Sequence, residues 1–122
     1  MKKLLLSLAL IAVATFGLAA CSTSVTPTPL AAGTVVVDVR TPAEFAQGHL
    51  TGAVNIDVES SAFTTQVKQL PTTGTYVVYC RSGNRATAAI SQMKVLGYTQ
   101  LTNAGGITDA AASTGLSIVT GP

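Results

Sequence analysis

The chain has no tryptophan and one histidine, and it carries three tyrosines and three phenylalanines among its 122 residues. Charged side chains make up 10% of it, against the roughly 25% usual for a soluble domain, so its few ionic groups must be read one by one. A single His and two Cys without a CxxC pair exclude a zinc site built on the usual ligand spacings; no metal and no cofactor are expected. Charge of one sign is scarce as well. Apart from Lys2 and Lys3, the cations Arg40, Lys68, Arg81, Arg85 and Lys94 are matched by Asp38, Glu44, Asp57, Glu59 and Asp109. That balance leaves no basic stripe for nucleic acid. The longest apolar run, Leu4 to Phe16, is broken only by Ser7 and Thr15 and falls short of the ~20 residues a spanning helix needs.

What is present begins with a processing signal over residues 1–20. Lys2 and Lys3 form a basic start, the apolar run follows, and Leu18-Ala19-Ala20 leads into Cys21. Small residues directly before a Cys match the bacterial lipobox, in which the cysteine is lipidated and becomes the mature N-terminus. Ordinary secretory cleavage after Ala20 and an uncleaved anchor are the alternatives. Several acyl chains on Cys21 would anchor the protein stably to a membrane. Ser22, where retained lipoproteins carry Asp, resembles the Gram-negative pattern for the outer membrane. The expectation is a protein of the bacterial cell envelope, held by its lipid at the outer membrane and facing the periplasm. Cys80 is then the one thiol, with neither a disulfide partner nor a resolving cysteine.

Residues 21–32, rich in Ser, Thr, Pro and Ala, read as a flexible tether, and residues 33–122 as one small domain. Val35 to Val39 is an almost continuous apolar run, as buried parallel strands show. Thr41-Pro42-Ala43-Glu44 is a capping box with Pro at the first helical position, opening a short helix through Gln47. Gly48 to Gly52 reads as a loop and Ala53 to Ile56 as a brief strand. Phe63, Val67 and Leu70 have helical spacing up to Pro71. Leu101 marks another strand, followed by Asn103-Ala104-Gly105-Gly106. A final Ala-rich helix is expected from about Asp109 to Gly115, then an apolar tail at Leu116 to Val119. Alternating strands and helices predict an α/β fold, a small parallel sheet covered by helices on both faces. Ligands of such sheets bind at the carboxyl ends of the strands.

That is where the most informative segment falls. Tyr76-Val77-Val78-Tyr79 is a buried-strand pattern that ends in Cys80-Arg81-Ser82-Gly83-Asn84-Arg85. Ala86 to Leu96 is rich in helix formers and is closed by Gly97. A strand, a polar loop and a helix aim backbone N–H groups and the positive end of a helix dipole at one point, which favours the thiolate form of a cysteine placed there. Free cysteines usually pack as small hydrophobes. One followed by two arginines, with a Gly suited to positive φ between them, instead sits in a nest for an anion.

Asp38-Val39-Arg40 with Glu44-Phe45, then Gly48-His49-Leu50, Gly52-Ala53 and Asn55-Ile56, resembles the N-terminal signature of the rhodanese domain. Tyr79 to Ala86 resembles its active-site loop. Leu96-Gly97-Tyr98, Asn103 to Gly106 and Gly115 to Gly121 resemble its C-terminal half. The resemblance implies a rhodanese-like fold with the active-site loop at the carboxyl end of a central strand, and thiosulfate sulfurtransfer. Cys80 is then the nucleophile that becomes a persulfide. The loop N–H groups from Arg81 through Ser82, Gly83, Asn84 and Arg85 to Ala86 hold its charge, and Arg81 and Arg85 bind the sulfonate oxygens of the donor. The partners implied are thiosulfate or a related donor, and cyanide or a thiol as acceptor. Relatives of this fold that act on phosphate or arsenate have one more residue between the Cys and the closing Arg. Where the family usually carries an aromatic after its Gly-Gly, this chain has Ile107-Thr108-Asp109-Ala110-Ala111.

The remaining polar residues read as scaffold. His49 is expected to be a hydrogen-bonded structural residue, and Asp38 and Arg40 are charges at a strand end, with Arg40 paired to an acidic neighbour such as Glu44. Phe63 and Tyr98 read as core. The alternative to an enzyme is a non-catalytic persulfide carrier or an envelope interaction module on the same scaffold.

Overall fold

The structure, a computed structural model, describes residues 25–122; the expected signal segment and Cys21 lie outside the described residues. Four parallel strands form the central sheet: β1 (Val35–Asp38), β3 (Val54–Asn55), β4 (Thr75–Cys80) and β5 (Gln100–Gly106), in the order β3-β1-β4-β5. Helices α1 (Pro42–Gln47), α2 (Phe63–Val67), α3 (Asn84–Val95) and α4 (Ile107–Thr114) connect and cover them. Because successive strand residues point to opposite faces, the two halves of the core separate cleanly. Val37, Val39, Tyr76, Val78 and Cys80 pack with Phe63 and Val67 of α2 and with Ala86, Ala89, Ile90 and Met93 of α3. Val36, Val77 and Tyr79 face the other way, onto Leu50 and Ala110 of α4. The expected α/β sheet with helices on both faces is the architecture observed.

Three local readings differ. The Gly48 to Gly52 loop contains a two-residue strand, β2 (His49–Leu50), paired antiparallel with β6 (Ile118–Val119) from the apolar tail. The last helix starts at Ile107, two residues earlier than expected, with Gly106 as its N-cap. The tether also joins the domain before residue 33. Thr28 N–H donates to the Ser113 carbonyl at 2.9 Å, and Leu30 packs against the Val36–Tyr79 half of the core.

Arg40 does not pair with Glu44. Its Nε and Nη2 donate to both oxygens of the fully buried Asp38 carboxylate at 2.6–3.1 Å, and Nη2 also donates to the Gly48 carbonyl at 2.6 Å. Two charges this deep persist because each lies against the other, and among the described residues no fully buried side-chain polar atom is left without a partner. His49 has the structural place expected of it: its ring stacks on Phe45 with centroids 3.6 Å apart, and Nδ1 is hydrogen-bonded to the Phe45 carbonyl at 2.8 Å. Tyr98 is core, its hydroxyl donating to the Val67 and Leu70 carbonyls.

Candidate active site

β4 lies between β1 and β5 and is buried from Tyr76 to its last residue, Cys80. The chain then turns through Arg81-Ser82-Gly83 into α3. Gly83, at φ 97°, takes the left-handed conformation that glycine adopts without steric cost, and its N–H donates to Cys80 Sγ at 2.9 Å. The loop is braced from β5. Pairing runs from Val78↔Asn103 to Cys80↔Gly106, so β5 spends one residue more than β4 over the same step. This bulge bends the strand towards the loop. A Cβ on Gly106 would stand 2.5 Å from the Arg81 carbonyl oxygen, so only glycine allows this close approach. Asn103 Nδ2 donates to the Gly83 carbonyl at 3.3 Å and to Thr87 Oγ1 at 3.0 Å, while its Oδ1 accepts from Gly105 N–H at 2.8 Å.

The second brace is ionic. Arg85, on the first turn of α3, donates from Nη1 and Nη2 to the two oxygens of Glu44, both at 2.8 Å. Glu44 Oε2 also accepts from the N–H and hydroxyl of Thr41, the capping box the sequence announced. The hydrogen bonds from Arg85, with those from Thr41, hold the Glu44 carboxyl down at about 2 against the opposing effect of burial. Arg85 is raised in turn, first by its bonds to Glu44, with Glu59 and Cys80 adding smaller attractions. Glu59 Oε2 lies 3.6 Å from Arg85 Nη1 and is largely exposed. Arg85, expected from the sequence to bind a donor's sulfonate, here makes a bidentate tie that fastens α3 to α1.

Sequence and structure comparisons converge on this geometry. Residues 27–112 match the Rhodanese-like domain family. The chain belongs to that family. The match opens at Pro27, where the extended segment meets the domain. The thiosulfate sulfurtransferase PspE of Escherichia coli is 33% identical over 75 residues, 62% of this chain and 72% of that protein. A sulfurtransferase of Allochromatium vinosum is 35% identical over 85 residues, 70% of this chain and 78% of that protein. Among solved structures, a rhodanese with anions from E. coli has a TM-score of 0.60 at 32% identity, covering 72% of this chain and 99% of that one.

In this rhodanese-like domain the structure brings most of the sequence-nominated loop together. Cys80 is fully buried at the base, Ala86 is buried beneath the helix, Gly83 is half-buried, and Arg81, Ser82 and Asn84 are exposed around the rim. Arg81 has no carboxylate partner among the described residues. It borders an open groove of about 360 Å³ together with Glu44, Gln47, Gly48, Ile107 and Ile118. Sequence reasoning missed Asn103, Glu59 and the true partner of Glu44. Glu44 carried a signal, since a carboxylate at the third position of a capping box faces the start of its helix, but the chain separation of 41 residues to Arg85 gave no local cue.

Proposed function

We propose that the protein is a thiosulfate sulfurtransferase working through a persulfide on Cys80. What carries the reading is the placement of that thiol: it ends a central strand, accepts an N–H bond from Gly83, and faces the start of α3. Backbone donors and the helix dipole favour negative charge there. The Cys80 thiolate attacks the outer sulfur of the donor, a Cys80–sulfur bond forms, the sulfur–sulfur bond of thiosulfate breaks, and sulfite leaves with its electron pair. Arg81, exposed and without a carboxylate partner among the described residues, is the cation available to the sulfonate oxygens. Cyanide or a thiol then takes the outer sulfur, and Cys80 returns to thiolate. Two half-reactions around one covalent intermediate give ping-pong kinetics.

Thiocyanate formation from thiosulfate and cyanide tests this. Activity is expected in the wild-type chain and is expected to vanish in Cys80→Ser; full activity in that variant would exclude the mechanism. A folded chain that takes up sulfur on Cys80 yet passes none to cyanide would be a carrier instead.

The location proposed is the cell envelope, with Cys21 carrying the lipid. Support comes from the basic start, the apolar run and Leu18-Ala19-Ala20-Cys21. Expression with a labelled fatty acid should mark the wild-type protein and leave Cys21→Ser unmarked; equal labelling of both would remove the lipid from Cys21.

A further inference from the structure

The groove beside Arg81 is larger than the donor requires. Its volume of about 360 Å³ is that of a small-molecule site, and neither cyanide nor thiosulfate fills it. Its walls divide by chemistry. Ile107 opens α4 directly after the glycine pressed on the loop, and Ile118 of β6, half exposed, faces it from the second, two-stranded sheet. The charged groups in the groove are Arg40, Glu44 and Arg81. Arg40 is neutralised by Asp38 and Glu44 by Arg85, which leaves the Arg81 guanidinium as the unbalanced charge, one residue from the nucleophile.

Resting on the sulfurtransfer reading, we propose that this groove is the acceptor site and that it selects small thiols bearing a carboxylate. Arg81 holds the carboxylate while Ile107 and Ile118 cover the carbon skeleton. One cation serves donor and acceptor in turn, because sulfite has left before the acceptor arrives. The acceptor thiolate attacks the outer sulfur of the Cys80 persulfide. The bond between that sulfur and Sγ breaks, its electron pair returns to Cys80, and the acceptor departs as a persulfide. The thiol proton goes to solvent, and no oxidant or reductant is needed.

The test uses the full chain loaded with sulfur from polysulfide, so that any weakening of the thiosulfate step does not enter, with one added sulfur confirmed by intact mass. Its discharge is timed with 3-mercaptopropionate, 2-mercaptoethanol and cysteamine at matched thiolate concentration, each rate divided by that of the same thiol with a small-molecule cysteine persulfide, because the more basic thiolate is the better nucleophile in itself. The anionic thiol should discharge the persulfide roughly tenfold faster than the cationic one, an advantage that shrinks in high salt as expected of a partly exposed charge. Arg81→Gln should bring that ratio close to one. Ile118→Lys, which adds a cation to the same groove, should raise it, a gain that misfolding cannot produce. Equal rates for the three thiols, or a ratio untouched by both substitutions, would overturn the acceptor site while leaving sulfurtransfer intact. A chain that takes up no sulfur would overturn both.

Discussion

Glu44 is the residue on which the two halves of the site depend. Its carboxylate completes the cap of α1 and receives both terminal nitrogens of Arg85, tying the helix after β1 to the helix after the Cys80 loop. The side chains of both partners are 25% exposed, so solvent does not screen the pair fully. The carboxyl lies at about 2 instead of its ordinary 4.5. A group depressed in the folded state stabilises that state above its unfolded value and loses the contribution as pH falls towards the folded one. The shift corresponds to at most about 3 kcal/mol. Glu44→Gln should therefore be destabilised by about 2 kcal/mol at pH 7 in urea unfolding. Its deficit should narrow below pH 4.5 and close near pH 2 as the wild-type carboxyl takes up its proton. A deficit constant across that range would mean that the side chain's shape, and not its charge, holds the loop.

At the scale of elements, the parts that were legible in the sequence are those whose signal is local. β4 announced itself by an unbroken apolar run, α1 by its capping box, and α3 by its helix formers and the glycine after it; each holds in the structure within about two residues. The Cys80 loop was legible for the same reason, since strand, loop and helix are contiguous. β2 and β6 were not. Each is two residues long and exists through the other, across a separation that no periodicity reveals. The pairing of Arg40 was misread because proximity in sequence offers both Asp38 and Glu44, and burial decides between them: Asp38 is fully enclosed and would be left an unpaired charge without Arg40. The β5 bulge and the contact of Gly106 with the Arg81 carbonyl belong to the same class, because they depend on where two distant backbones meet. The motif Asn103 to Gly106 was visible as letters, but its work, bracing the Cys80 loop, appears only once β5 lies beside β4.

For the molecule as a whole, residues 27–30 pack against the domain. Thr28 is bonded to Ser113, Leu30 packs against the core, and Pro27 sits against Gly115, where an added Cβ would come within 3.2 Å of it. The contacts of Pro27 and Thr28 lie at the far end of α4, whose first turn lies at the Cys80 loop. One hydrogen bond and a partly buried leucine contribute together about 2 kcal/mol. Ordering the strap offsets part of that, leaving a net stabilisation of about 1 kcal/mol. For a domain of this size, that is a midpoint shift of roughly 4–8 °C. A chain beginning at Gly33 should melt lower than one beginning at Val25 by about that amount. Its thiocyanate formation at 25 °C should be unchanged, because Pro27 and Thr28 meet the end of α4 opposite the Cys80 loop. Equal melting would show that the contacts at Thr28 and Leu30 form without stabilising the fold. A loss of activity matching the loss of stability would show that the strap and the loop are coupled through α4, whose N-cap is the glycine on which the loop rests.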